Sequence, residues 1–170
     1  PVQTYYLDRP VTGYIEDAVV RATLRALEQN EGDVLVFLPG AAEIQRVNEQ
    51  LSSELQRAAA VDIHPLFGNL SAEEQDRALA PARPGHRKVV LATSIAETSL
   101  TIDGIRVVID CGLQRVPRFS PRTGMTRLET VQVSRASADQ RRGRAGRTAS
   151  GVCVRLWTEG EDAALLAHAE

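Results

Sequence analysis

Apolar residues gather in short runs, separated by longer stretches in which they recur every three or four positions. Such alternation is the signature of βαβ units and a mainly parallel sheet. Strands are expected at Val2 to Leu7, Asp33 to Leu38, Val61 to Leu66, Lys88 to Ala92, Val107 to Cys111 and Val152 to Leu156. Helices are expected at Tyr14 to Gln29, Ala41 to Ala58, Ala72 to Leu79 and Ala138 to Ala145, with a short last one from Glu161 to His168. Ser71 with Glu74, and Ser137 with Gln140, have the spacing of capping boxes and place two helix starts. Gln114 to Val133 breaks the alternation: Arg115-Val116-Pro117-Arg118-Phe119 and Thr126-Arg127-Leu128-Glu129-Thr130-Val131 flank Ser120-Pro121-Arg122-Thr123-Gly124. Proline and glycine between two β-prone runs predict a hairpin.

The chain has 170 residues, 43% of them hydrophobic, which suits one domain with its own core. It contains no apolar run of about 18 residues and no signal peptide, so a cytoplasmic protein without a membrane anchor is expected. Cys111 and Cys153 lack metal-ligand spacing and lie in or beside apolar runs, which predicts buried free thiols. His64, His86 and His168 are scattered, and no metal site is expected. The net charge of -2 conceals a polarised distribution, because residues 106 to 155 hold 11 basic and 3 acidic side chains. A concentrated positive field of that kind attracts phosphate.

The densest part of this block is Gln140-Arg141-Arg142-Gly143-Arg144-Ala145-Gly146-Arg147. On a helix, Gln140, Arg144 and Arg147 fall at i, i+4 and i+7 and share one face. Two glycines inside a helix cost roughly 1 kcal/mol each, which suggests a close approach to the backbone. Guanidinium forks on one face suit a polyphosphate, although a solvated basic helix has the same composition. Upstream, Ala92-Thr93-Ser94-Ile95-Ala96-Glu97-Thr98-Ser99-Leu100-Thr101-Ile102-Asp103-Gly104 follows an expected strand and puts five hydroxyls within nine residues. Hydroxyls at the carboxyl end of a parallel strand can complement free N–H groups in holding a sugar-phosphate chain, or can merely cap a short helix.

These two segments resemble motifs VI and V of superfamily 2 helicases, in the form typical of the DEAH-box branch. Over nearly its whole length the chain is similar to the second RecA-like domain of a DEAH-box RNA helicase, most of all to the bacterial HrpB-type members. The resemblance implies an α/β fold, a RecA-like three-layer α/β/α arrangement with a mainly parallel sheet, and a β-hairpin inserted at 114–133 between motifs V and VI. It implies that Gln140 orients the attacking water and that Arg144 and Arg147 act as arginine fingers on the γ-phosphate of ATP. Asp103 would face the nucleotide. Thr98 would contact an RNA phosphate, with Thr93 and Ser94 close to the strand. Ser94 stands where the family usually has asparagine. Val34 to Gly40 resembles motif IV and His64 to Leu70 the next conserved segment, which makes Gly40 and Gly68 candidates for close approach to RNA. On the hairpin, Arg118 and Arg122 are candidate RNA contacts or plain surface charge. Arg141 and Arg142 point elsewhere on a helix, toward RNA or internal salt bridges. Leu79 takes the place of a phenylalanine that stacks on the base in many relatives, so base preference is open.

No Gly-x-x-x-x-Gly-Lys-Ser/Thr loop and no paired-acid motif occurs, and the lone Lys88 follows Arg87. In the family these parts, with the carboxylates for Mg2+, lie on the first RecA-like domain. The expectation is therefore half of a monomeric two-domain motor, inactive toward ATP by itself, whose partners are single-stranded RNA and the first RecA-like and C-terminal domains of the same longer chain. Pro1 in place of a methionine fits such a piece. An RNA-binding module without catalysis and a DNA-acting helicase domain are the alternatives; nucleotide dependence separates the first and 2′-OH contacts the second.

Overall fold

The computed structural model describes residues 1–56, 60–98, 100–147 and 149–167. Six strands form one sheet: β1 (Val2–Tyr6), β2 (Asp33–Phe37), β3 (Val61–Leu66), β4 (Arg87–Ala92), β5 (Ile105–Asp110) and β8 (Gly151–Arg155). Their order is β1-β8-β5-β2-β4-β3, and every neighbouring pair is parallel. The helices are α1 (Ile15–Gln29), α2 (Ala41–Glu54), α3 (Ala72–Leu79), α4 (Arg135–Gly143) and α5 (Glu159–Ala163), with a 3-10 turn at Ser94–Ala96. All five residues of β2 are buried, as a central strand covered on both faces requires.

The two-residue period of the strands sorts the core into two layers. Val34, Val36, Val89, Leu91, Val107 and Ile109 pack under Val19 of α1 and Ile44, Val47 and Leu51 of α2. Leu35, Phe37, Val90, Ala92, Val108 and Cys153 face Ala78 of α3, Ala96, Ile102 and Ala145. The result is the expected three-layer α/β/α architecture. Cys111 and Cys153 are buried free thiols, each pushed up to about 12, chiefly by burial.

Arg87 and Lys88 serve the same core. Arg87 donates to the carbonyls of Leu27, Asn30 and Gly32 and satisfies the end of α1. The ammonium of Lys88, fully buried, donates to the carbonyls of Ala78 and Ala80 and caps α3.

The hairpin is present as β6 (Leu113–Ser120) paired antiparallel with β7 (Met125–Gln132). Its four-residue connection ends at Gly124, whose φ of 67° provides the left-handed turn. Two helix ends differ from expectation. Helix α4 begins at Arg135, because Ser134 rather than Ser137 is its N-cap and accepts the N–H of Ser137 at 3.1 Å. The Ser137 hydroxyl is committed elsewhere, to Glu97. Helix α5 starts at Glu159, ahead of the expected Glu161, because Thr158 and Glu161 close a reciprocal capping box. At Ser71 the cap is half as expected: its hydroxyl accepts the N–H of Glu74 but donates to that residue's carboxylate. Ala58 and His168, the expected ends of α2 and α5, lie outside the described residues.

Candidate functional site

The arginine-rich segment is not one helical face. Helix α4 stops at Gly143; Arg144 keeps helical angles as its C-cap (φ −68°, ψ −20°), and Arg147 has left the helix. Gln140 and Arg144 therefore share a face, whereas Arg147 reaches the same region through a turn. The reason lies in the glycines. A Cβ at Gly146 would meet Val2 at the start of β1, and one at Gly151 would strike Ala145, so the chain leaves the helix to pack against the sheet. The close approach is made by the protein's own strands. Gly143 has open space around it.

The four arginines of the segment divide by partner. Arg141 is fully buried, with Nε 2.8 Å from Glu97 Oε2, Nη1 2.9 Å from Asp110 Oδ1, and its guanidinium 4.8 Å from the centre of the Phe37 ring. Burial alone would lower its pKa, but the charges of Asp110 and Glu97 outweigh that and raise it. Arg142 donates to Thr4 Oγ1 and to the carbonyl of Val2, holding β1. Both are internal, but only Arg141 forms the salt bridges expected; Arg142 makes hydrogen bonds to neutral groups. Arg144 donates through Nε to the carbonyl of Glu97 at 2.7 Å. Burial, and then the nearby Arg147 charge, lower the Arg144 pKa. Among the described residues, no hydrogen bond or ion pair engages the terminal nitrogens of Arg144 or any nitrogen of Arg147. Two cations are thus held near one another with donors to spare, an arrangement that fits a polyanion.

The segment from Thr93 to Gly104 crosses the α4 face of the sheet. It leaves the carboxyl end of β4 at Thr93, makes its 3-10 turn at Ser94–Ala96, and enters the amino end of β5 after Asp103 and Gly104. Thr93 and Ser94 are half-buried; Thr98 and Asp103 are exposed; Ser99 lies outside the described residues. The candidates fall at opposite edges of the sheet. Thr93, Ser94, Gly40 and Gly68 follow the carboxyl ends of β4, β2 and β3. Asp103, Ala145 and Gly146 lie near the amino ends of β5, β8 and β1. Only the first group lies at the carboxyl ends of strands.

At Gly40 the space of a side chain is taken by the Arg115 guanidinium, so its close contact is with the hairpin; Gly68 is exposed and open. Arg115 makes two 2.7 Å bonds to the carboxylate of Glu43, which fasten β6 to α2. Those bonds, against the opposing effect of burial, hold the Glu43 carboxyl below its usual value. Beyond this tie the hairpin is exposed. Arg118 faces Arg127 across the strands and pairs with Glu129 at 3.0 Å, and Arg122 sits exposed in the turn. Phe119, Met125 and Leu128 also face solvent. Leu79 packs against the core and offers no aromatic face.

Sequence reasoning missed Glu97 and Asp110, the acidic partners of Arg141. The one available signal was a glutamate inside a hydroxyl-rich segment and an aspartate ending an apolar strand. Among the described residues, no group of three His, Cys, Asp or Glu side chains is placed to hold a metal ion, and no helix is long and apolar enough to cross a membrane. Clefts lie between β1 and α1, beside β3, and near Trp157.

Known proteins share this arrangement. The crystal structure of the E. coli DExH-box NTPase HrpB superposes on all of the chain with a TM-score of 0.92 and 50% identity, using 21% of that chain. That of the Escherichia coli DEAH/RHA helicase HrpB does so with a TM-score of 0.93 and 50% identity, using 22%. In sequence, 156 residues are 54% identical to the ATP-dependent RNA helicase HrpB of Escherichia coli (strain K12), covering 92% of this chain and 19% of that protein. The chain thus spans about a fifth of the length of the relatives it matches. The model of the helicase conserved C-terminal domain matches residues 16–149, from α1 through the arginine segment, and the chain belongs to that family.

Proposed function

We propose that this domain is the second motor half of a monomeric, cytoplasmic ATP-dependent RNA helicase of HrpB type, working against a first RecA-like domain and the C-terminal domains of the same longer chain. The observation that carries this reading is the pair Arg144 and Arg147, three residues apart, with the terminal nitrogens of Arg144 and the guanidinium of Arg147 unengaged among the described residues and the Arg147 charge lowering the Arg144 pKa. Across a cleft, these donors would meet the γ-phosphate of ATP and stabilise the charge that develops there as the bond to the leaving group loosens. Gln140, one turn before Arg144 and exposed, would orient the attacking water. Asp103 would border the nucleotide from the same edge. The Mg2+ that accompanies ATP would be held mainly by the first domain.

At the other edge, Thr93 and Ser94, with the turns at Gly40 and Gly68, would grip the RNA sugar-phosphate chain, with Thr98 further along the same segment, while Arg118 and Arg122 extend the grip along the hairpin. Contacts of this type are sensitive to salt and largely indifferent to sequence. Without a Walker loop the isolated domain is expected to show no ATP turnover. Hydrolysis by the purified domain that disappears with Arg147→Ala would contradict the reading. Competition between matched RNA and DNA strands for the full-length protein checks the sugar, with RNA expected to win.

A further inference from the structure

Among the described residues, Glu97 makes the hydrogen bonds that join the hydroxyl-rich segment to the arginine segment, beside the apolar packing of Ala96 and Ile102 with Ala145. One carboxylate oxygen, Oε2, accepts from Ser137 Oγ at 2.7 Å and from Arg141 Nε at 2.8 Å, while the main-chain carbonyl accepts from Arg144 Nε at 2.7 Å. Its own N–H donates to the carbonyl of Ser94 and closes the 3-10 turn, and Thr98 is the next residue. Glu97 therefore sits between two candidate RNA contacts and touches the candidate finger directly. The carboxylate is largely buried, and its partner Arg141 is locked against Asp110, which in turn accepts the N–H of Gly112 at 2.8 Å. The far side of this joint is rigid. A displacement of 94–98 must be taken up on the near side, where Arg144 hangs from the Glu97 carbonyl.

We propose that Glu97 is a positioning residue that couples RNA occupancy of the 93–98 segment to the aim of Arg144. This rests on the reading of Arg144 as a finger. With RNA bound, the 3-10 turn is fixed and the Glu97 carbonyl holds Arg144 Nε so that its two terminal nitrogens face the phosphate. With RNA absent, the turn and the guanidinium relax together. Coupling between two sites is a free energy linking their states, and a residue hydrogen-bonded to both can set its size.

The test uses the full-length protein carrying Glu97→Gln, which keeps the volume but weakens the shared acceptor, beside Arg144→Ala. Three readings are taken: ATP turnover with and without RNA, RNA affinity with and without a non-hydrolysable ATP analogue, and the melting temperature. In Glu97→Gln the ratio of RNA-stimulated to RNA-independent turnover should fall about tenfold, and the effect of the analogue on RNA affinity should shrink by a similar factor. RNA affinity without nucleotide should stay within about threefold of wild type, a coupling energy near zero at that site. Equal loss of both turnover rates, with the analogue still acting on RNA affinity, would make Glu97 a structural brace and overturn the inference. So would an unchanged ratio. If Arg144→Ala leaves turnover intact, the finger reading itself fails, whatever Glu97→Gln does.

Discussion

Arg141 and Arg144 stand three positions apart in one arginine-rich segment, yet the structure gives them opposite tasks. Arg141 neutralises Asp110 and Glu97 in the core, where Asp110 Oδ2 and Arg141 Nη2 already lack partners among the described residues. Removing one member of a buried ion pair leaves its partner charged and desolvated. Arg141→Ala should therefore cost about 3–5 kcal/mol in urea unfolding, and RNA binding by the folded fraction should be retained. Retained stability with weakened RNA binding would instead make Arg141 a ligand contact. Arg142→Ala removes only bonds to Thr4 and Val2 and should cost less, roughly 1–2 kcal/mol. The sequence could not separate these arginines, since the carboxylates that claim Arg141 lie 31 and 44 residues away. Lys88 is a similar case: the one lysine of the chain is a buried helix cap, and no local rule distinguishes it from a surface residue.

The hairpin shows what local chemistry does reveal. Pro121 and Gly124 between two β-prone runs were enough to place it, and the strands found run from Leu113 to Gln132. What holds it to the domain was hidden, because Glu43 and Arg115 are 72 residues apart. This tie has a pH signature. The Glu43 carboxyl is held below its ordinary 4.5 by the Arg115 hydrogen bonds, so its stabilisation is complete above that value and is lost as pH falls through the lowered one. Hydrogen-exchange protection of β6 and β7, corrected for the intrinsic rate, should drop below pH 4.5 in the native protein and be low at every pH in Glu43→Gln. Protection independent of both pH and Glu43 would show that the hairpin is held otherwise. Further out, Arg118→Ala and Arg122→Ala should each reduce the salt dependence of RNA binding by about one unit of slope. An unchanged slope would mark them as plain surface charge. Helix α4 was placed late because Ser134 and Ser137 both precede plausible starts. Only the Glu97 carboxylate, outside any local window, decides that Ser137 is occupied and Ser134 caps.

The candidate residues of the domain fall at two edges of the sheet joined by one segment. Strand positions and the parallel topology were readable because each strand is an apolar run whose period and flanking turns are local. The residues of both candidate sites were found by their motifs, but their division between the carboxyl and amino edges was not, since it depends on how 93–104 crosses the sheet. On the proposed reading, RNA and nucleotide would act on different borders of one layer. The most direct measurement is RNA-stimulated ATP hydrolysis by the full-length protein, comparing wild type with Arg144→Ala and Arg147→Ala while RNA binding is followed in parallel. Hydrolysis reduced by about 10³-fold or more with RNA binding retained is the expected result, as for arginine fingers elsewhere. Unchanged hydrolysis with weakened RNA binding would contradict it and make the segment a basic RNA grip.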